Sequence, residues 1–534
     1  MQIIVKLKDV IIDPAKPVDL TAMPAEKAIA LLRKAYGFLA ANMTFEIRDE
    51  MVFITVDYER RQDEAIAKDC FDRGMKQAKA GRYNKAVDLF TRTLKIVPEH
   101  TEARRNLAMA LKNADRLLEA KDHLVDVLRL SPEDSWAYVL LGNIYAWHEN
   151  DLDTAERFYR RALDFAPKDT YALTNYAALK IERKDCEGAR ALFEQAIVLE
   201  PKHPNPYYGL ATLLNDTGKP SESLATLDRM FENAAAFDDT RTIALLKECR
   251  EFHLRLSAQV ADADHDRLWT AVLACRDEVS RSTAIPVELV EDNSLEDTTA
   301  ASVPAWRGTS GRHVVRYNSR GKSVVPHIVG RELERIRMEH EARQVGKNCD
   351  LRYVSNNPER AKVIEAHVQR LVRSGTGEAD ARACVTKVTD TLMPRLLLSA
   401  IDVLLEHRLW TRISELRPSQ TVGLYLHARQ KRNPLDQPDV SRALPGYVRS
   451  AQETSGAAWA IFVDRMSGGR TAHAAEYVRI PGSSLARELA DGWLKATMDF
   501  HPGDEYDLVR QFVQALGLEP WLMIQPLKNG DKKL

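Results

Sequence analysis

The chain has 534 residues, with 76 Lys and Arg against 77 Asp and Glu, for a formal net charge of −1. That length exceeds what one hydrophobic core supports, and about three or four domains are expected. The charge balance gives no reason to expect a nucleic acid or an acidic membrane surface as a partner.

The six cysteines (Cys70, Cys186, Cys249, Cys275, Cys349, Cys384) stand singly, with no Cys-x-x-Cys pair. Their spacing argues against a zinc ribbon or a disulfide framework and suits a reducing compartment. No apolar run reaches the roughly 18 residues of a membrane span. The opening MQIIVKLKDV breaks its apolar stretch with charges, which speaks against a signal peptide. The expectation is a cytoplasmic protein.

Residues 1–60 read as a small α/β cap. Ile3, Val5 and Leu7 alternate with Gln2, Lys6 and Lys8 apart from Ile4, the pattern of an edge or half-buried strand. Pro24 can open a helix, since its missing N–H would be unpaired there. Ile29, Leu32, Tyr36 and Leu39 then fall on one helical stripe. TFEI at 44–47 and MVFITV at 51–56 predict a hairpin.

From 61 to 260 the chain repeats itself. Loop prolines recur at Pro98, Pro132, Pro167 and Pro201. Gly74, Ala108, Gly142 and Ala177 share one point of the period, and Ala86, Ala120, Ala155 and Ala189 a second. A bulky Phe90, Leu124, Tyr159 or Phe193 follows. Small residues let paired helices approach, and the bulky one fills the gap to the next pair. A period near 34 residues with this pattern resembles the tetratricopeptide repeat family. The resemblance implies an α-solenoid of about five repeats, the last weaker and starting near Pro204, with a helix around Leu268–Leu273 as its end cap.

The same resemblance implies a concave groove lined by the first helix of each pair. Arg105, Asn106, Met109, Lys112, Asn143 and Asn175 are its expected peptide-contacting residues. Asn143 and Asn175 fit two positions of the carboxylate clamp found in some members. Val139 stands where that clamp has Lys, which speaks against chaperone-tail binding.

Residues 280–430 change in texture. IPVELV at 285–290 and HVVRY at 313–317 read as strands separated by a polar loop over 291–306, and a helix starts near Pro326. That helix, PHIVGRELERIRMEHEAR, resembles the active-site helix of the zincin metallopeptidases, which carry His-Glu-x-x-His. There two imidazoles on one face hold zinc, and the Glu acts as general base. Here the motif reads Arg331-Glu332-Leu333-Glu334-Arg335, and Glu406 takes the place of the third ligand on a second helix.

A guanidinium has no free lone pair and stays protonated, so it cannot ligate zinc. No metal, no cofactor and no catalytic residue are therefore expected. Arg331 and Arg335 are expected to replace the cation as partners of Glu332 and Glu406. His327 and His340 lie about 220° apart around a helix and cannot chelate together. Nothing in the spacing brings in His313 or His407.

Residues 431–534 read as an α+β extension. Pro434, Pro438 and Pro445 mark a loop, WAIFVD at 459–464 and EYVRIP at 476–481 read as strands around a Ser-Gly-Gly turn, and helices follow near 483–497 and 504–516. Trp521, Leu522 and Ile524 are expected to dock on the domain. The whole reads as a mainly α protein: a protein- or peptide-binding scaffold carrying an inactive peptidase-like domain. The alternative is an active metal-dependent peptidase using other ligands, with the groove recruiting its substrate.

Overall fold

The computed structural model describes residues 2–6, 20–36, 43–56, 58–233, 240–477 and 483–527. The chain divides into two compact units, Met1–Glu200 and Pro201–Leu534.

The first unit opens with β1 (Gln2–Lys6), α1 (Ala25–Tyr36), β2 (Met43–Arg48) and β3 (Met51–Val56), in an antiparallel sheet of order β1-β3-β2. The predicted hairpin forms around Asp49 and Glu50, both with positive φ, as a two-residue turn between right-twisted strands requires. Ala28 and Leu32 of α1 pack on Phe45, Val52 and Ile54, with Ile29 at the edge of that core. Leu39 of the predicted stripe lies outside the described residues.

Eight helices follow: α2 (Tyr58–Lys79), α3 (Tyr83–Ile96), α4 (Thr101–Asn113), α5 (Leu117–Leu130), α6 (Ser135–Trp147), α7 (Leu152–Phe165), α8 (Thr170–Glu182) and α9 (Cys186–Leu199). They pack as consecutive pairs, α2 with α3 through α8 with α9. The first helices also touch in series, α2 to α4, α4 to α6 and α6 to α8. Asp134, Asp151, Asp169 and Asp185 cap α6 to α9, each carboxylate accepting backbone N–H bonds that the helix start leaves unpaired. The small-residue logic holds in atomic terms. A Cβ on Gly74 would lie 2.7 Å from the Phe90 ring, and one on Gly142 2.7 Å from Tyr159.

The second unit begins with the helices α10 (Pro204–Asp216), α11 (Pro220–Asn233), α12 (Thr240–Ala263) and α13 (His265–Thr283). β4 (Val287–Glu291), β5 (Ala300–Val303) and β6 (His313–Tyr317) form a sheet of order β4-β6-β5, with β4 parallel and β5 antiparallel to β6. Then come α14 (Val325–Gln344), β7 (Cys349–Tyr353), α15 (Pro358–Arg373), α16 (Glu378–Leu397) and α17 (Ser399–Arg412). The unit ends with α18 (Arg417–Asp436), α19 (Pro438–Ala443), α20 (Gly446–Met466), α21 (Ser483–Met498), α22 (Asp504–Ala515) and β8 (Leu522–Pro526).

Two large cores hold this unit, with smaller ones between α15 and α16 and around Tyr506. Leu268 and Val272 of α13 pack with Val315 of β6, Val329, Leu333 and Ile336 of α14, and Leu409 of α17. A larger core gathers α16, α17, α18, α20, α21 and α22 around Trp459, Phe462, Trp493 and Phe512. Trp521 is buried in it, and β8 pairs with β7, so Trp521 and the strand after it dock as expected.

Four sequence expectations give way here. The 291–306 loop contains β5, because Ala300–Val303 finds a partner edge in β6. WAIFVD is helical, inside α20, where residues on every side are buried; a short apolar run surrounded by core has no period to separate strand from helix. The proline-marked loop is mostly helix. α18 continues to Asp436, Pro438 opens α19 at a position that needs no N–H, and Pro445 caps α20. Of EYVRIP, Glu476 and Tyr477 belong to a 3₁₀ turn and 478–481 lie outside the described residues.

Candidate functional site

The site is built on three helices of the second unit. Along α14, His327, Arg331 and Arg335 recur every fourth residue and so share one face. From α17, Asp402 and Glu406 face them in the same rhythm, and α18 adds Gln420, His427 and Lys431. Gly423 of α18 lets the helices close: a Cβ there would sit 1.9 Å from Nδ1 of His327.

Glu406 is fully buried. Nε2 of His327 donates to it at 2.9 Å and Nε2 of Gln420 at 2.8 Å, while Nη1 of Arg331 lies 3.6 Å away. Burial alone would raise the Glu406 carboxyl, but His327 and then Arg331 beside it hold it down at about 2. Glu332 accepts from the Ser302 backbone N–H at 3.2 Å, the Ser302 hydroxyl at 2.7 Å and Nε of Arg335 at 3.1 Å. Asp402 lies 3.8 Å from Arg331 and 3.9 Å from Arg335. Burial works against the charged Arg331, yet Asp402, Glu406 and Glu332 together raise its pKa.

The four residues singled out in the sequence, Arg331, Glu332, Arg335 and Glu406, thus meet in one place. Asp402, Gln420, His427 and Lys431 join them with no motif in the sequence to announce them, and His327, excluded above as a zinc ligand, joins as a carboxylate partner. The signal for His327 was its place one turn before Arg331 on the same stripe.

His313 and His407 stay apart from this cluster, beside Trp306 and Phe462 respectively. Among the described residues, no group of three or more His, Cys, Asp and Glu side chains is arranged to hold a metal ion.

A cavity of about 310 Å³ opens beside the cluster. Arg331, Arg335, Arg395 and Lys431 line it, with Glu296, Glu332 and Asp402 as its carboxylates. His427 stacks on Trp459, with centroids 4.9 Å apart, and burial pushes its imidazole well below its ordinary value, so it is neutral.

In the first unit, the expected groove residues sit on α4, α6 and α8. Nη1 of Arg105 is bound to Asp134 at 2.8 Å, and the guanidinium lies over Trp136. Asn106 is buried and donates to the Glu102 carbonyl. Asn143 is also buried; it accepts from the Tyr159 hydroxyl at 2.6 Å and donates to the Tyr171 hydroxyl. Asn175 donates to the Tyr171 carbonyl of its own helix. Met109 and Lys112 are half-buried, and burial lowers the Lys112 pKa. Val139 is a core residue.

The family described as "Tetratricopeptide Repeats-Sensor" matches residues 82–180, and that described as "Tetratricopeptide repeat" matches 180–247. A protein O-mannosyl-transferase, Tmtc3 of Drosophila melanogaster, is 32% identical over 139 residues, which is 26% of this chain and 15% of that protein. Protein bimA of Emericella nidulans is 28% identical over 166 residues, 30% of this chain and 20% of that protein. The chain thus spans no more than about a fifth of either relative. Among solved structures, a thermophilic TPR protein of Thermus thermophilus aligns with 23% identity and a TM-score of 0.30, over 32% of this chain and 91% of that one. No helix among the described residues is long and apolar enough to cross a membrane. Between residues 82 and 247, this chain is built of tetratricopeptide repeats.

Proposed function

We propose that the chain is a scaffold that binds a protein or an extended peptide along the first helices of its repeats. The supporting observation is the serial contact of α2, α4, α6 and α8, which sets their side chains in one continuous row. Met109, Lys112 and Asn175 are the contact residues in this reading. In this reading Arg105, through Asp134, and Asn143, through Tyr159 and Tyr171, hold neighbouring helices in register for them, and Asn106 is buried against its own helix. The six free cysteines support work in a reducing cytoplasm.

The test is a displayed peptide library selected against the full chain and against a Met109→Glu, Lys112→Glu variant. Peptides that bind the wild type and lose about tenfold or more on the variant support the reading. A selection that enriches nothing, or peptides indifferent to both changes, defeats it.

For the second unit we propose a peptidase-like domain that has exchanged its metal for an ion-pair cluster. The supporting geometry is that Arg331 and Arg335 lie among Glu332, Asp402 and Glu406. An Arg331→His, Arg335→His double variant that gains one zinc per chain supports this descent, and one that takes none at any concentration counts against it. The competing reading, a working hydrolase with a metal held elsewhere, requires zinc and peptide cleavage in the wild-type protein.

A further inference from the structure

We infer that the cavity between α14, α17 and α18 is a binding site for a monocarboxylate with a short apolar tail. Its charges point there. Four cationic side chains and three carboxylates line it, the lining His327 is paired with the buried Glu406, and His427 adds none, which leaves one positive charge over. That excess has a location. The Lys431 ammonium donates to the Ser399 hydroxyl at 3.0 Å and faces the Trp459 ring at 5.8 Å; burial lowers its pKa, against the pull of Asp402 and Glu406. It has no carboxylate within 4.0 Å among the described residues.

Arg331 is also underused, its carboxylate contacts all falling between 3.6 and 3.8 Å, longer than a charge-assisted hydrogen bond. Glu332 and Glu406, by contrast, are saturated by close donors. A single carboxylate entering between Lys431 and Arg331 would meet two donors and cancel the excess. A dianion such as phosphate would be opposed by Asp402.

The rest of the wall sets the tail. Val324, Ile328, Leu392, Leu396, Leu398 and Leu426 line the same space. The volume has room for on the order of ten heavy atoms. A six-carbon acid fits that description, and so does the last residue of a peptide with an apolar side chain and a free C-terminus. The inference rests on the wall as it stands and not on the ancestry of the site or on the repeat surface.

The experiment is calorimetric titration of the full chain with sodium hexanoate, with Ala-Ala-Leu as the free acid, and with Ala-Ala-Leu amide. At least one of the two acids should bind at millimolar concentration or below, and the amide should bind at least about tenfold more weakly than its acid. Hexanoate alone identifies a free small acid as the ligand; binding of the peptide acid identifies a chain terminus. Lys431→Met should weaken binding about tenfold or more, and Lys431→Arg should restore most of it, with thermal melts showing that both variants fold. Neither acid binding, equal binding of acid and amide, or full affinity in folded Lys431→Met would overturn the inference.

Discussion

Nε2 of His327 lies 2.9 Å from Oε2 of Glu406, although 79 residues separate them in the chain. The bond ties the first turn of α14 to the middle of α17, in a place where neither side chain reaches water. A buried carboxylate is tolerable only with partners of this quality.

This pairing makes stability depend on acid. The Glu406 carboxyl falls from 4.5 to about 2 in the folded protein. A depressed carboxyl stabilises the fold above its unfolded value and loses that contribution as pH falls through its folded value. At about 1.4 kcal/mol per unit, the effect is on the order of 3 kcal/mol. Glu406→Gln should therefore be less stable than wild type by about that amount near neutrality. Urea titrations should show the gap closing as the pH drops from 4.5 to about 2. A gap that stays constant over that range would mean His327 and Arg331 do not stabilise the ionised form.

Gly423→Ala tests the same contact by shape. Its Cβ would meet His327 at 1.9 Å, inside any allowed separation, so the imidazole or the helix must move. Ala is the better helix former by about 1 kcal/mol, yet here overpacking should win, with a net loss of about 2 kcal/mol or more. Thermal melts of the variant against wild type measure it. A neutral or stabilising outcome would show that α14 and α18 are not packed this closely.

The sequence made this site half legible. Arg331, Glu332 and Arg335 are legible because α14 carries a motif outline with two wrong residues in it, and Glu406 because the same motif expects a carboxylate on a second helix. His327 has no histidine partner on its own helix, and its actual partner is a carboxylate on another helix, which no local spacing records. Asp402 and Lys431 have no local signature at all, since tertiary packing alone brings α17 and α18 against α14.

The repeats were legible because a small residue and a bulky one at fixed spacing are a local record of two helices touching. Residues 459–464 misled for the opposite reason: in α20, burial on all sides erases the period.

Glu505 predicts the reverse pH response. It is almost fully buried, and Oε2 accepts the Gly503 N–H at 2.9 Å, while Oε1 has no hydrogen-bond partner among the described residues. Burial raises its carboxyl from 4.5 to about 7. With the folded value above the unfolded one, the native state holds the proton longer, and stability falls as pH rises from 4.5 to about 7. Glu505→Gln keeps an acceptor for Gly503 and removes the ionisation. It should be more stable than wild type by about 3 kcal/mol at about pH 8, with the advantage vanishing in acid. Denaturation at both ends of the range decides it, and a Gln variant that is weaker than wild type in alkali would refute the burial argument.

The repeat geometry yields its own test at Gly142 and Tyr159. A Cβ at 142 would lie 2.7 Å from the Tyr159 ring, which is fully buried and whose hydroxyl donates to Asn143. Gly142→Ala gains about 1 kcal/mol of helix propensity but pushes that ring off its partner, so a net loss of about 1–3 kcal/mol is expected. The preceding repeat shows what relieves the conflict, since there Ala108 and Leu124 occupy the corresponding positions, both buried. Tyr159→Leu alone should cost about 2 kcal/mol or more, through lost volume and an unpaired Asn143 oxygen. In the Gly142→Ala, Tyr159→Leu pair the clash disappears. The double variant should be more stable than the sum of the singles predicts, by about 1 kcal/mol or more. Additive losses in chemical denaturation would mean that the ring does not rest on Gly142, and that the close approach of α6 and α7 has another cause.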